Sequence, residues 1–321
     1  MPTRRTSVAA TPPFIAMLDL PNLGDDDGLH APLIAVISEP WPISVSVWNA
    51  TANTGFELNV VIEGPAVIGQ TMSEMLFASS AVWDRGTVLR VKLASGSLSS
   101  VDPSDLLNGA NLIAIGDPDT STWEIFQFSK AELVQENTYD LSILLRGLFG
   151  TDSIAPSVWP VASLIVLLGG ALQKITLPIS LFGLERIYRV GASELGASDM
   201  SVATVSHRFS DVASRPYSIS HLEVRRETSG EVLVDWIRRT RIDGDRWHYS
   251  DVPLGENDEV FAIRVVIGGQ TVRQEFVSEP RFIYSSVMQI EDGASGLLTF
   301  EVSQVSSSFG PGPVKSVSVN I

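Results

Sequence analysis

The 321-residue chain contains no cysteine. That absence removes disulfide frameworks, zinc knuckles and thiol nucleophiles from consideration. Positive charge is scarce as well: 22 Lys and Arg stand against 37 Asp and Glu, a formal net charge of −15 at pH 7. Nucleic acid needs a basic face for its phosphates, so no nucleic-acid partner is expected. The densest basic stretch holds Arg225, Arg226, Arg238, Arg239, Arg241 and Arg246, interleaved with Glu223, Glu227, Glu231, Asp235, Asp243 and Asp245. Its local charge is close to neutral, and it reads as solvated strand faces and intersubunit pairs. Long apolar runs are missing too. The longest, Val158–Leu168, is too short to span a bilayer and contains Pro160, so it reads as one buried strand and no membrane-spanning segment is expected. The opening MPTRRTSVAATPPF places prolines where a signal peptide needs an apolar run.

Catalytic signatures are absent in the same way. His30, His207, His221 and His248 are scattered, with no pair at metal-ligand spacing. No phosphate-binding loop and no G-x-G-x-x-G occurs, and Gly191-Ala-Ser-Glu and Gly293-Ala-Ser-Gly296 do not match the G-x-S-x-G elbow. Asp25-Asp-Asp-Gly28 and Asp117-Pro-Asp119 are the candidate cation loops, since hard cations want clustered carboxylates. Neither has the register of an EF-hand, and both read as acidic turns stabilised by their own side chains. The expectation is a non-enzymatic protein with no metal and no cofactor.

What is present is period-two alternation broken by turn residues. Ile43–Trp48, Phe56–Ile62, Thr87–Leu93 and Tyr139–Leu145 alternate, and each is bounded by glycine, proline or small polar residues. Turn signals at such short intervals predict sandwiches or barrels. Ser104–Asn108 is the one helical turn expected, with Asp102 or Ser104 as its cap. Among the seven tryptophans, Trp48, Trp123 and Trp236 fall in strand patterns and are expected in cores. Trp41 and Trp159 are flanked by prolines and read as rigid interface positions. Trp83 precedes the turn Asp84-Arg-Gly86 and Trp247 follows Asp243-Gly-Asp-Arg246, which makes these two the candidate exposed, surface-binding aromatics. Composition suggests a mobile arm over 1–13, a β segment over 14–54, a β-rich region over 55–214, and a final domain over 215–321 that begins near Arg215-Pro216.

That final domain is predicted to be a sandwich. Val260–Ile267 and Thr271–Val277 alternate on either side of Gly268-Gly269, a strong hairpin signal. Phe300-Glu-Val-Ser-Gln-Val-Ser306, Phe309-Gly-Pro-Gly-Pro313 and Val317-Ser-Val319 resemble the last hairpin of a fibronectin type III domain. In that resemblance Phe300 and Val302 face the core and Trp236 is the central core aromatic. The fold class expected is therefore mainly β: several sandwich-like or barrel-like domains ending in a fibronectin-III-like sandwich.

Five segments in one order carry a further resemblance. They are Trp83-Asp-Arg-Gly-Thr-Val-Leu-Arg-Val-Lys-Leu93, Leu107-Asn-Gly-Ala-Asn-Leu-Ile-Ala-Ile-Gly116, Leu144-Leu-Arg-Gly-Leu-Phe-Gly-Thr151, Trp236-Ile-Arg-Arg-Thr-Arg-Ile-Asp-Gly-Asp245 and Phe309-Gly-Pro-Gly312. Together they resemble the C-terminal portion of the tail-hub proteins of gene transfer agents and of related siphophage host-specificity proteins. The resemblance implies a structural baseplate hub at the virion tail tip, assembled in the bacterial cytoplasm as a homotrimer around the tail axis. Its partners would be other hub chains and the distal tail protein, and residues 14–54 would dock on them. A host surface glycan or receptor is the further expected contact, and an adhesin module is the alternative reading. The larger family members carry a glycoside-hydrolase-like barrel that has no counterpart here, which adds to the non-enzymatic expectation.

Overall fold

The computed structural model describes residues 12–23, 32–80, 82–118, 120–242 and 253–321. The expected arm over 1–13 lies almost wholly outside these residues. Within them the chain is nearly all β, as the alternation predicts, and it divides into two compact units. The first spans Met1–Leu20 and His30–Val212; the second spans Pro21–Leu29 and Ala213–Ile321. No helix of the described residues is long and apolar enough to cross a membrane.

The first unit opens with β1 (Phe14–Leu18), β2 (Leu33–Ile37), β3 (Val45–Ala50) and β4 (Glu57–Ile62). It continues with β5 (Ile68–Thr71), β6 (Met75–Leu76), β7 (Trp83–Ser95), the short helix α1 (Pro103–Leu107) and β8 (Leu112–Asp117). Then come β9 (Thr122–Gln135), β10 (Thr138–Leu148), β11 (Val158–Trp159) and β12 (Leu164–Leu167), followed by β13 (Gln173–Lys174), β14 (Arg186–Ala192) and β15 (Ala203–His207). Six of these strands close into a barrel in the order β10-β7-β5-β12-β8-β9, every neighbour antiparallel. Closure leaves no edge open inside the barrel.

The barrel follows directly from alternation on β7. Leu89, Val91 and Leu93 point inward and are buried, while Val88, Arg90 and Lys92 between them are exposed. They meet Ile113 and Ile115 of β8, Phe126 and Phe128 of β9, and Leu141 and Leu144 of β10 in one core. On β9 the alternation fails: every residue from Trp123 to Ser129 is buried. Its outer side is covered by the segment around α1, where Gln127 Nε2 donates to the carbonyls of Leu106 (2.7 Å) and Ala110 (2.6 Å). That helix begins with Pro103 after Asp102, which has extended backbone but makes no side-chain cap, and it buries Leu106. Gly116 on β8 must be glycine because a Cβ there would run into the ring of Trp123 and the Thr122 carbonyl.

A second core in the same unit lies between two further sheets. β1-β2-β13 supplies Met17, Ile34 and Val36; β15-β14-β3-β4 supplies Val45, Val47, Ile62, Tyr188 and Val190. The strands of this sandwich come from residues 14–62 and 173–207, so the barrel is an insertion between β4 and β13. The two ends of the insertion touch, with Leu167 N–H donating to the Val67 carbonyl at 3.0 Å. The segment 14–54, set apart in the sequence, thus pairs with later strands: β3 lies against both β4 and β14. Val158–Leu168 also departs from its expected form. It is not one strand but two, β11 on β6 and β12 inside the barrel. Pro160 lacks a ladder donor and Ala162 has φ 69, so the chain turns between them.

The second unit contains β16 (Ser220–Arg226), β17 (Val232–Ile237), β18 (Phe261–Ile267), β19 (Gln270–Val277), β20 (Arg281–Tyr284), α2 (Ser286–Glu291), β21 (Leu297–Ser306), β22 (Gly310–Pro311) and β23 (Lys315–Asn320). One sheet is β16-β17-β20; the other runs β19-β18-β21, with β22 and β23 both pairing with β21. The two sheets share a core and make a β-sandwich. Trp236 and Phe261 meet edge to face at 5.2 Å, as do Tyr284 and Phe300 at 5.8 Å. Phe300 and Val302 are fully buried. Gly268 (φ 56) and Gly269 (φ 81) form the β18–β19 turn, where two left-handed residues match the twist of the strands.

Candidate functional site

The segment Leu144–Thr151, one of the sequence motifs, centres on Arg146. The last residues of β10 carry Arg146 into the barrel wall, where its side chain is 1% exposed. Its Nε donates to Glu124 Oε1 at 2.6 Å and its Nη2 donates to Oε2 at 2.8 Å, a bidentate pair with a carboxylate that is itself 2% exposed. Nη1 donates to the Leu76 carbonyl of β6 at 3.1 Å and lies 3.9 Å from Asp84 Oδ2. Glu124 also accepts from Trp159 Nε1 (2.6 Å) and from the Gly147 N–H (3.3 Å). A buried ion pair holds only when its remaining lone pairs and protons are satisfied, and here nearly all are.

The neighbours of Arg146 in the motif serve the same assembly. Gly147 has φ 61, and a Cβ there would strike Asp152. Thr151 is fully buried; its hydroxyl donates to the Leu148 carbonyl (2.7 Å) and accepts from the Ile125 N–H (3.0 Å). Asp84 accepts from the N–H groups of Gly86 and Thr87 through Oδ1 at 3.1 and 3.0 Å. Burial pushes the Asp84 carboxyl up, but the bonds from Thr87 and Gly86 and the charge of Arg146 outweigh it and leave it below its usual range. The cluster thus ties β6, β7, β9, β10 and β11 together. Both oxygens of Glu124 are occupied, so the arrangement is a brace, while Asp84 Oδ2 is enclosed 3.9 Å from Arg146 Nη1 without a hydrogen-bond partner.

Beside the brace lies a cleft of about 550 Å³ that includes Phe14, Gln70, Asp117, Trp159, Pro160 and Leu164 in its walls. Its lining is dominated by apolar side chains. Among the described residues no group of three or more His, Cys, Asp and Glu could hold a metal ion. Asp117 ends β8, while Asp119 and Asp25–Gly28, the other parts of the candidate cation loops, lie outside the described residues.

The candidate aromatics separate. Trp247 lies outside the described residues, as do His30 and His248. Trp83 is half-buried at the start of β7, opposite Leu145, and the Arg85 guanidinium sits 5.8 Å from its ring centroid. That contact covers at most one face of the ring. Trp159 is not an interface residue of this chain: it is 4% exposed and belongs to the barrel core and the brace. Trp48 and Trp41 are half-buried, and Trp41 Nε1 is enclosed without a partner. Glu124 escaped the sequence reading altogether. The one available signal was an acid set among the aromatics of Trp123-Glu-Ile-Phe-Gln-Phe128.

A second arginine cluster braces the C-terminal sandwich. Arg273 of β19 donates through Nε and Nη2 to both oxygens of Asp292 (2.7 and 3.1 Å), and it pairs with Glu275 and Glu291 at 3.0 Å each. Tyr284 O–H donates to Asp292 Oδ2 at 2.8 Å. The bond from Arg273 holds the Asp292 carboxyl below its usual range, and burial raises the Tyr284 phenol above its own.

Comparison with known proteins sets this geometry in context. A family model described as "Rcc01698-like, C-terminal", a family associated with gene transfer agents, matches residues 66–166. That span starts just before β5 and ends within β12, so it coincides with the inserted barrel and its brace. No curated protein matches the chain. Among solved structures, domains d3–d4 of the rat CD45 extracellular region align at 16% identity and a TM-score of 0.24. The alignment covers 41% of this chain and 63% of that one, less than two thirds of its length.

Proposed function

We propose that the chain is a structural, non-catalytic component of a phage or gene-transfer-agent tail tip, a hub piece that docks on other hub chains and faces the host surface. The observation that carries this reading is the match of the barrel, residues 66–166, to a family associated with gene transfer agents. The ordered motifs resemble tail-hub proteins, and the residues of the central one are spent on an internal brace rather than on an open site. A mechanical part needs such a wall: braced from within, with its binding faces left to the outside. The expected partners are a further hub chain and the distal tail protein, with a threefold arrangement around the tail axis.

The test is co-assembly. The purified chain, mixed with purified hub and distal tail proteins of the same particle, is expected to enter a complex of defined mass by light scattering. It should then appear as density at the tip in a low-resolution map of the particle. A chain that stays monomeric in every mixture and is absent from the particle overturns the reading. Binding to host envelope that is lost in Trp83→Ala, without any co-assembly, would instead favour the adhesin alternative. Release of reducing sugar from that envelope, abolished by changing one acid, would overturn the non-catalytic part.

A further inference from the structure

The barrel has no open edge, but the C-terminal sandwich has one at β19. Among the described strands β19 pairs with β18 alone. Its eight residues, Gln-Thr-Val-Arg-Gln-Glu-Phe-Val, include neither Pro nor Lys, the residues that usually guard such an edge. Its guards are a bulge at Val272, where the register with β18 shifts, and the charged side chains of Arg273 and Glu275. Phe276 is 62% exposed and Val272 37%, and Gln274 between them is exposed.

We propose that β19 pairs antiparallel with β19 of a second copy of this chain, about a twofold axis through Gln274. The register follows from charge. Opposed residues in an antiparallel pair lie on the same face, so the axis must pass through a residue and not between two. Centred on Arg273 or on Glu275, the pair sets like charges against each other. Centred on Gln274, it sets Arg273 against Glu275 of the second copy, twice over. The existing 3.0 Å pair of Arg273 with its own Glu275 then becomes part of an alternating ring of two arginines and two glutamates. The same register brings Val272 toward Phe276 of the second copy at both ends, covering the exposed apolar side chains. An edge contact of this size is weak, and dimers are expected only at high micromolar concentration. The contact is twofold, so it stands apart from the threefold arrangement proposed above.

The chain has no cysteine, so a single introduced thiol reports one contact. On the full-length chain, Gln274→Cys places two thiols across the axis with Cα atoms about 5 Å apart, within disulfide reach. Phe276→Cys places them roughly 13 Å apart. Gln274→Cys is expected to form a disulfide-linked dimer at least tenfold faster than Phe276→Cys or the exposed control Ser316→Cys. In sedimentation equilibrium, Gln274→Lys should weaken dimerisation about tenfold or more by opposing like charges, with the circular dichroism spectrum unchanged. A hub trimer, if formed, should survive that change, so failure of one idea is visible without the other. Equal cross-linking rates at the three positions, faster linking at Phe276→Cys, or a chain that stays monomeric at the highest concentration would overturn the pairing. So would a dimer untouched by Gln274→Lys.

Discussion

The barrel and the C-terminal sandwich solve one problem in two ways. Each clasps an arginine with carboxylates to hold neighbouring elements together. In the barrel the pair is sealed: Arg146 and Glu124 are 1% and 2% exposed, and the indole of Trp159 completes the shell. In the sandwich the clasp sits at the rim, with Glu275 and Glu291 40% and 60% exposed around Arg273. A sealed pair is costly to leave half made, whereas a rim cluster can exchange its bonds with water. The barrel brace is therefore close to all-or-none, and the sandwich clasp is graded.

The largest effect should come from breaking the sealed pair. Glu124→Gln leaves the guanidinium buried without its counter-charge, and a loss of about 3–5 kcal/mol is expected in urea unfolding. The double change Glu124→Leu with Arg146→Met should recover most of that loss, because neither charge is then stranded. If the single change costs no more than a surface substitution, the brace is not what holds the barrel wall. Next in size is Arg273→Ala, which should cost about 1–2 kcal/mol, since two of its three carboxylate partners remain wetted. A loss as large as that of Glu124→Gln would erase the distinction between the two units.

Acid should divide them further. Burial holds the His207 imidazole below its ordinary 6.5, so the folded first unit favours the neutral ring. The unfolded chain then binds the extra proton. The stability from this group is fully present above 6.5 and is lost as pH falls toward and through the lowered folded value. Asp292 behaves as an acid with a depressed value: its contribution is present above the ordinary 3.8 and is lost only below it. Melting between pH 7 and 5 should therefore weaken the first unit, and His207→Gln should flatten that slope. The smallest effect, confined to the strongly acid limb, should be removed by Asp292→Asn.

Much of the fold could be read from residue order, and for local reasons. Alternation on β7 requires only a strand with one wet face, and the Gly268-Gly269 turn requires only backbone that accepts positive φ. Trp236 in the sandwich core followed from the same logic. What could not be read depends on distant partners. Glu124 looks like a solvent-facing acid until Arg146 and Trp159 are placed against it, and Gln127 looks exposed until α1 covers it. The run Val158–Leu168 is apolar throughout because its two halves are buried in different sheets, and hydrophobicity alone does not mark the turn. Of the candidate aromatics, Trp83 was legible only as near a turn; the guanidinium over its ring belongs to Arg85, whose role spacing does not reveal.

The inserted barrel also bears on the order in which the chain can fold during synthesis. Trp48 of β3 finds its partner Arg189 only on β14, across more than a hundred intervening residues. A chain emerging from the ribosome presents β1–β4 first, and these strands cannot finish their sheets until the barrel has passed. Closing so long a loop as an open coil is entropically costly and slow. All six barrel strands lie between β4 and β13, and in the closed barrel the Leu167 N–H reaches the Val67 carbonyl at 3.0 Å. A barrel that closed first would act as a clip, holding β13–β15 near the waiting strands. Damage to the barrel should therefore appear first as nascent chains whose amino-terminal sheet never assembles.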